Sequence, residues 1–261
     1  MDLKHIFIAS EDRPPTPSTQ VISVLLSLAL VMGIAIPATR SSNLVWDWSA
    51  LAEYRQLFLH GWLNTLAISI AALVLSSLLG ALTALGSNSR ILPVRHLCKG
   101  YITIIRGTPL LAQIYILFYV LAHAVGIENR FWSGVVALSL FSSAYIAEIL
   151  RASMTAIAAS QLESAAAIGL TSSQTLRHII LPQALRTVLP PLAGQFVSLI
   201  KDSSLLSIIG INELTQNAKN VASYTFSNFE SYLLLAVAYL VLTLPVSLLA
   251  RHLERRVQYD H

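Results

Sequence analysis

The chain has 261 residues, of which 55% are hydrophobic and 11% charged, and its mean hydropathy is +0.65. Soluble domains carry about 25% charged residues, so a water-soluble globular enzyme is excluded and a polytopic, all-α membrane protein is expected. The net charge of +4 is no nucleic-acid signature, because the basic residues gather at the ends of hydrophobic stretches, and the single cysteine, Cys98, can form no internal disulfide.

Six stretches of about 20 residues, the length a bilayer core requires, follow in order at 20–38, 62–86, 104–125, 131–150, 187–210 and 231–250. The flank before the first, Met1–Gln20, carries Asp2, Glu11 and Asp12 beside Lys4 and Arg13. That is not the basic leader of a signal peptide, so a retained anchor is expected. The second span sets Ser76, Gly80 and Ala84 at intervals of four, a face for close helix packing.

Arg90, Arg95 and Lys99 fall between spans two and three, Arg151, Arg177 and Arg186 flank the connection between four and five, and Arg251, Arg255 and Arg256 follow six. In a six-span chain these regions share one side, which the excess of basic residues assigns to the cytoplasm together with both termini. Arg40 and Arg55, after span one, run against that rule.

At the start of span three stands Arg106-Gly107-Thr108-Pro109-Leu110-Leu111, followed by Gln113. Gly107 and Pro109 break a helix at the membrane edge, and Arg106 can snorkel to the headgroups as an interfacial anchor. Span four ends in Tyr145-Ile-Ala-Glu148-Ile-Leu-Arg151. Glu148 and Arg151 can pair on one helix face; the sharper alternative is a carboxylate facing a substrate path.

Between spans four and five, 155–181 reads as a helical hairpin. One helix carries Glu163, Ser164 and Ala165 and ends at Gly169, a position for a left-handed residue from which Leu170 folds back. Thr171 and Gln174 form a capping-box start for the second helix, Leu176, Ile179 and Ile180 give it an apolar face, and Leu181-Pro182 is expected to stop it. In span five, Gln195, Ser198 and Asp202 share a face, and Lys201 and Asp202 fall near mid-span. Such charges must pair or face a water-filled cavity; helix-to-helix hydrogen bonding and a translocation path both remain open. The connection 211–230 reads either as a short surface helix or as plain solvated chain.

Glu163-Ser-Ala, Gly169 and Ile179-Ile-Leu-Pro182 are spaced like the coupling loop in permease subunits of ATP-binding-cassette (ABC) importers, with Ser164 where that family has Ala. Arg106-Gly-Thr-Pro-Leu-Leu with Gln113, Ala144-Tyr-Ile-Ala-Glu148, and Lys201-Asp-Ser-Ser-Leu205 resemble the group that imports polar amino acids such as histidine, glutamine, arginine and opines. Phe141 and Ser203 depart from the usual Asn and Thr of that group.

The resemblance implies a type I importer permease fold. Residues 1–60 would be a tail, an extra anchor and a periplasmic loop, 61–256 a five-span core containing the hairpin, and 257–261 a cytoplasmic tail. It implies a second permease chain, identical or paralogous, ATPase subunits that carry ATP and magnesium, a periplasmic binding protein and an amino-acid substrate in an inner membrane. Glu163, Ser164, Ala165, Gly169, Leu170, Ile179, Leu181 and Pro182 would meet the ATPase. Gln113, Tyr145, Glu148, Gln195, Ser198, Lys201 and Asp202 are the candidates for the path. No phosphate-binding G-x-x-x-x-G-K-[ST] loop, hydrolase elbow or metal spacing occurs in the chain, so no catalytic residue, metal or cofactor of its own is expected. A permease for another small solute, or a membrane scaffold or sensor, are the other readings.

Overall fold

The computed structural model describes residues 21–27, 29, 30, 33, 48–122, 124, 126 and 129–258. The chain divides into two units, Met1–Asp47 and Trp48–His261. In the first unit the described residues are helical and fall inside the expected anchor; the rest of that anchor and the tail before it lie outside the described residues, as do residues 259–261.

The second unit is helical throughout its regular structure. After α1 (Trp48–Glu53) comes α2 (Arg55–Ser87), the first long apolar helix. Its small-residue face works as expected. Ser76, Gly80 and Ala84 are buried, and a Cβ at Gly80 would lie 2.8 Å from Ile146 Cγ2 and 3.0 Å from the Ser143 carbonyl on α5 (Arg130–Thr155). Only glycine permits that approach. Ile68, Ala72, Val135, Leu138, Leu199 and Leu206 close the core around it, while Leu78, Leu82, Leu240 and Leu244 remain exposed, as a lipid-facing surface requires.

Span three differs from expectation. Residues Leu92–Gly107 form a separate helix, α3, joined at a 113° bend to Leu110–Leu121, which is made of α4 (Leu110–Tyr115) and a wide π-type turn beginning at Ile116. The reason is local: the residue before a proline is forced into extended backbone, and Thr108 sits at φ −122°, ψ 149° ahead of Pro109. The chain from 104 to 107 therefore belongs to an amphipathic surface helix, none of whose residues is fully buried, and the apolar crossing starts at Leu110.

Pro182 does not stop the hairpin's second helix. α7 (Ser172–Thr175) runs through a π-turn at Leu176–Ile180 into α8 (Leu181–Asp202) and a tighter 3-10 segment, Ser203–Ile209. The Leu181 N–H reaches back five residues to the Leu176 carbonyl, and this wider turn accommodates a proline that has no N–H to donate. Pro190 and Pro191 lie inside α8 as well. Ser172–Ile209 is thus one span-length apolar helix of 38 residues. Lys201 and Asp202 lie at the end of its α-helical part, not near its middle. The connection that follows is no plain loop: α9 (Leu214–Thr225) buries Leu214, Asn217, Ala218, Val221 and Ala222, and α10 (Asn228–Gln258) completes the unit.

Among the described residues, four helices are long and apolar enough to cross a membrane, or five if the bent α3–α4 pair counts as one.

Candidate functional site

The hairpin is built from two local closures. α6 (Ala159–Ala167) ends with Gly169 at φ +78°. The Gly169 N–H donates to the Ala166 carbonyl and the Leu170 N–H to the Ala165 carbonyl, both at 3.0 Å, the paired 5→2 and 6→1 bonds of a glycine-terminated helix. Two residues on, the Thr171 N–H donates to Gln174 Oε1 at 2.9 Å, and the Gln174 N–H returns to Thr171 Oγ1 at 3.3 Å. Both caps follow the sequence pattern. Ala165, buried, is the foot of α6, and Gln183 Nε2 of α8 donates to Gln161 Oε1 at 2.7 Å.

The outward side is open. Glu163 and Ser164 are exposed, and the Glu163 carboxylate has no partner among the described residues. Ile168 is 75% exposed, Leu181 and Pro182 are exposed, and Leu170 and Ile179 are half-buried. A shallow cleft of about 440 Å³ separates α6 from the start of α8, lined by Ser164, Ala165, Ile168, His178 and Ile179 among others. An acidic and apolar knob on short helices suits docking against another protein.

The residues of the second motif come together differently from the sequence expectation. Arg106, exposed in part, turns inward instead of snorkelling outward. Its guanidinium lies 5.4 Å from the centre of the Tyr145 ring and 4.0 Å from Glu148 Oε1. Glu148 accepts from Arg151 Nε at 3.1 Å and from Arg151 Nη2. Glu148 thus makes the pair with Arg151 that the sequence allowed, and Tyr145 lies beneath Arg106. Gln113 stands just past the bend. It is buried, and its Nε2 donates to the Ile105 carbonyl at 2.8 Å and to Thr108 Oγ1 at 2.7 Å, tying together the Gly107–Pro109 break.

Along α8, Gln195 Nε2 donates to Ser142 Oγ of α5 at 3.0 Å, so this end of the polar stripe faces protein. Ser198 and Asp202 are half-buried and Lys201 is exposed; neither charge takes part in an ion pair among the described residues. Sequence reasoning missed a polar junction beyond α8. Glu213, fully buried, accepts from the N–H groups of Thr215 (2.8 Å) and Gln216 (2.7 Å) and from the Tyr239 hydroxyl (2.9 Å). Burial pushes its carboxyl above the usual range, and these donors pull the other way. The Leu214 N–H donates to Thr65 Oγ1 and Asn217 Nδ2 to the Leu57 carbonyl. A Cβ on Gly61 would sit 2.8 Å from Asn217 Nδ2. The available signal was a carboxylate immediately before a helical pattern.

Known proteins match this arrangement. The family described as "binding-protein-dependent transport system inner membrane component" matches residues 76–259. The probable glutamine ABC transporter permease protein GlnM of Bacillus subtilis (strain 168) is 37% identical over 213 residues, 82% of this chain and 99% of the relative. The glutamine transport system permease protein GlnP of Escherichia coli (strain K12) is 35% identical over 215 residues, 82% and 98% of the two chains. Among solved structures, the crystal structure of an amino acid ABC transporter with histidines superposes with a TM-score of 0.77 at 36% identity, over 82% of this chain and all of that one. The chain belongs to the inner membrane components of binding-protein-dependent transport systems, the permease subunits of ABC transporters.

Proposed function

We propose that the chain moves polar amino acids, glutamine among them, into the cell, and that its hairpin receives the power stroke of a separate ATPase. The observation that carries this reading is the hairpin itself. Its exposed knob is closed by its own turns, seated through Ala165 and Gln161, and continuous through Pro182 with the span Ser172–Ile209. A push on the knob is thereby delivered to a membrane helix.

In this reading both termini and the hairpin face the cytoplasm, ATP and magnesium sit on the partner ATPase, a second permease chain completes the path, and a periplasmic binding protein delivers the substrate. Gln195, Ser198, Lys201 and Asp202 border the path. The amino-acid class is supported by the glutamine permeases that this chain resembles along nearly their full length.

Two variants test the coupling. Glu163→Ala removes a carboxylate placed to meet a basic ATPase residue, and losing one partner of a buried interfacial pair costs about 2–5 kcal/mol. Gly169→Val forces a β-branched side chain into left-handed backbone. Both should abolish glutamine uptake in vesicles and weaken co-purification of the ATPase, with the permease still present in the membrane. Full uptake by both variants would remove the hairpin from the coupling role.

A further inference from the structure

A cleft of about 700 Å³ lies between α3, the end of α2 and the last turns of α5, lined by Ser87, Lys99, Thr103, Arg106, Tyr145, Glu148 and Arg151, among others. We propose that it binds the phosphate group of an anionic phospholipid headgroup.

Depth is the first support. Ser87 is the last residue of α2, and Arg151 stands one turn before the end of α5, so the cleft lies where two apolar helices leave the membrane. α3 is the second. It lies on the surface with no fully buried residue, and it presents Leu97 and Ile104, 74% and 65% exposed, away from the core. Arg95, Lys99 and Arg106 recur on the other stripe at spacings of four and seven. A helix of this kind lies in the plane of the interface with its apolar side among the acyl chains.

Charge is the third. Lys99, Arg106 and Arg151 face a single carboxylate, Glu148, and leave two positive charges in the cleft. Arg151 is bound to Glu148 through two nitrogens, and Arg106 lies over Tyr145 and 4.0 Å from Glu148 Oε1, with no hydrogen bond of its guanidinium among the described residues. The Lys99 ammonium has no hydrogen bond or ion pair among the described residues. Ser87 and Thr103 already donate their hydroxyl protons, to the Ala84 and Lys99 carbonyls. The donors left for a ligand are therefore the Lys99 ammonium and the Arg106 guanidinium, both suited to phosphate. Basic pockets between membrane helices at headgroup depth bind acidic lipids in this way.

The test uses the full chain, co-purified with its partners and placed in nanodiscs containing phosphatidylglycerol and phosphatidylcholine in equal amounts. Lipids retained after mild detergent extraction are counted by native mass spectrometry. The wild type should retain phosphatidylglycerol selectively, Lys99→Gln should lower that retention about fivefold, the weight of one basic residue at a lipid surface, and Lys99→Arg should restore it. Arg106→Gln provides a second, independent variant. The proposal is overturned by equal retention of the two lipids, or by unchanged selectivity in both Gln variants. It is also overturned if 20 mM inorganic phosphate displaces the lipid, which would make the cleft an ion site, or if 20 mM glutamine does, which would assign it to the transport path.

Discussion

The two ends of the helix Ser172–Ile209 are held in opposite ways. At the hairpin end, apart from the exposed bond of Gln183 to Gln161, the bonds are short in sequence: Gly169 to Ala166, Leu170 to Ala165, Thr171 to Gln174. At the other end they are buried and join distant parts of the chain: Thr65 to Leu214, Leu57 to Asn217, Tyr239 to Glu213. Local closures hold a shape while leaving it free to be displaced as a piece, whereas buried cross-helix bonds can be broken only by separating the helices. The hairpin is thus suited to being pushed, and the Glu213 junction to staying assembled while that happens.

Removing the centre of the buried junction should have the largest effect. Glu213→Ala leaves the N–H groups of Thr215 and Gln216 without their acceptor, while the Tyr239 hydroxyl keeps Thr215 Oγ1 at 3.0 Å. At about 1–3 kcal/mol for each of the two unsatisfied groups, a loss of about 2–6 kcal/mol is expected. It should be read as a large fall in melting temperature in detergent and a lower membrane level; an unchanged melting temperature would erase the contrast between the two ends.

Gly61→Val should come next, because its added carbons meet Asn217 Nδ2 at 2.8 Å and the Leu214 Cα at 2.9 Å, the latter a backbone atom that cannot swing aside. Overpacking of this kind costs about 1–3 kcal/mol, and a Gly61→Ala, Asn217→Ala double variant should recover part of it in the same melting assay. The smallest effect belongs to Thr171→Ala. Losing one exposed cap costs about 1 kcal/mol, and the expected signature is faster amide exchange confined to 171–176 with the global melting temperature unmoved. A global shift would mean that the hairpin is bound into the fold as tightly as the Glu213 junction.

What was legible in the sequence follows the same division. The turn at Gly169 and the box at Thr171 depend on residues within five positions of one another, and both are found as read. The four long apolar crossings among the described residues were also legible, since length and hydropathy suffice. One break was misjudged for want of a neighbour's view: Pro182 reads as a stop until the π-turn at Leu176–Ile180 is seen to accept it. The break at Gly107 and Pro109 is found as read, but the helix Leu92–Gly107 that it ends was not separated from the span that follows. The alternation of Leu97 and Ile104 with Arg95, Lys99 and Arg106 was the available cue for α3. The Glu148–Arg151 pair was legible from a spacing of three, whereas the partner of Gln113 and the inward turn of Arg106 could not be read, because the approach to the Ile105 carbonyl and to Glu148 depends on the 113° bend. Glu213 was hidden for a similar reason: one of the donors to its carboxylate is Tyr239, 26 positions away.

The unbroken passage through Pro182 has a mechanical consequence. At 1.5 Å per residue, a helix of 38 residues is about 57 Å long, nearly twice the roughly 30 Å of hydrocarbon it must cross. If it pivots where Gln195 meets Ser142, about 35 Å of arm lies on the hairpin side and about 20 Å on the other. A beam so divided trades travel for force. Displacement imposed at the hairpin arrives at Lys201 and Asp202, about 10 Å beyond the pivot, reduced to roughly a third, with thrust raised in proportion.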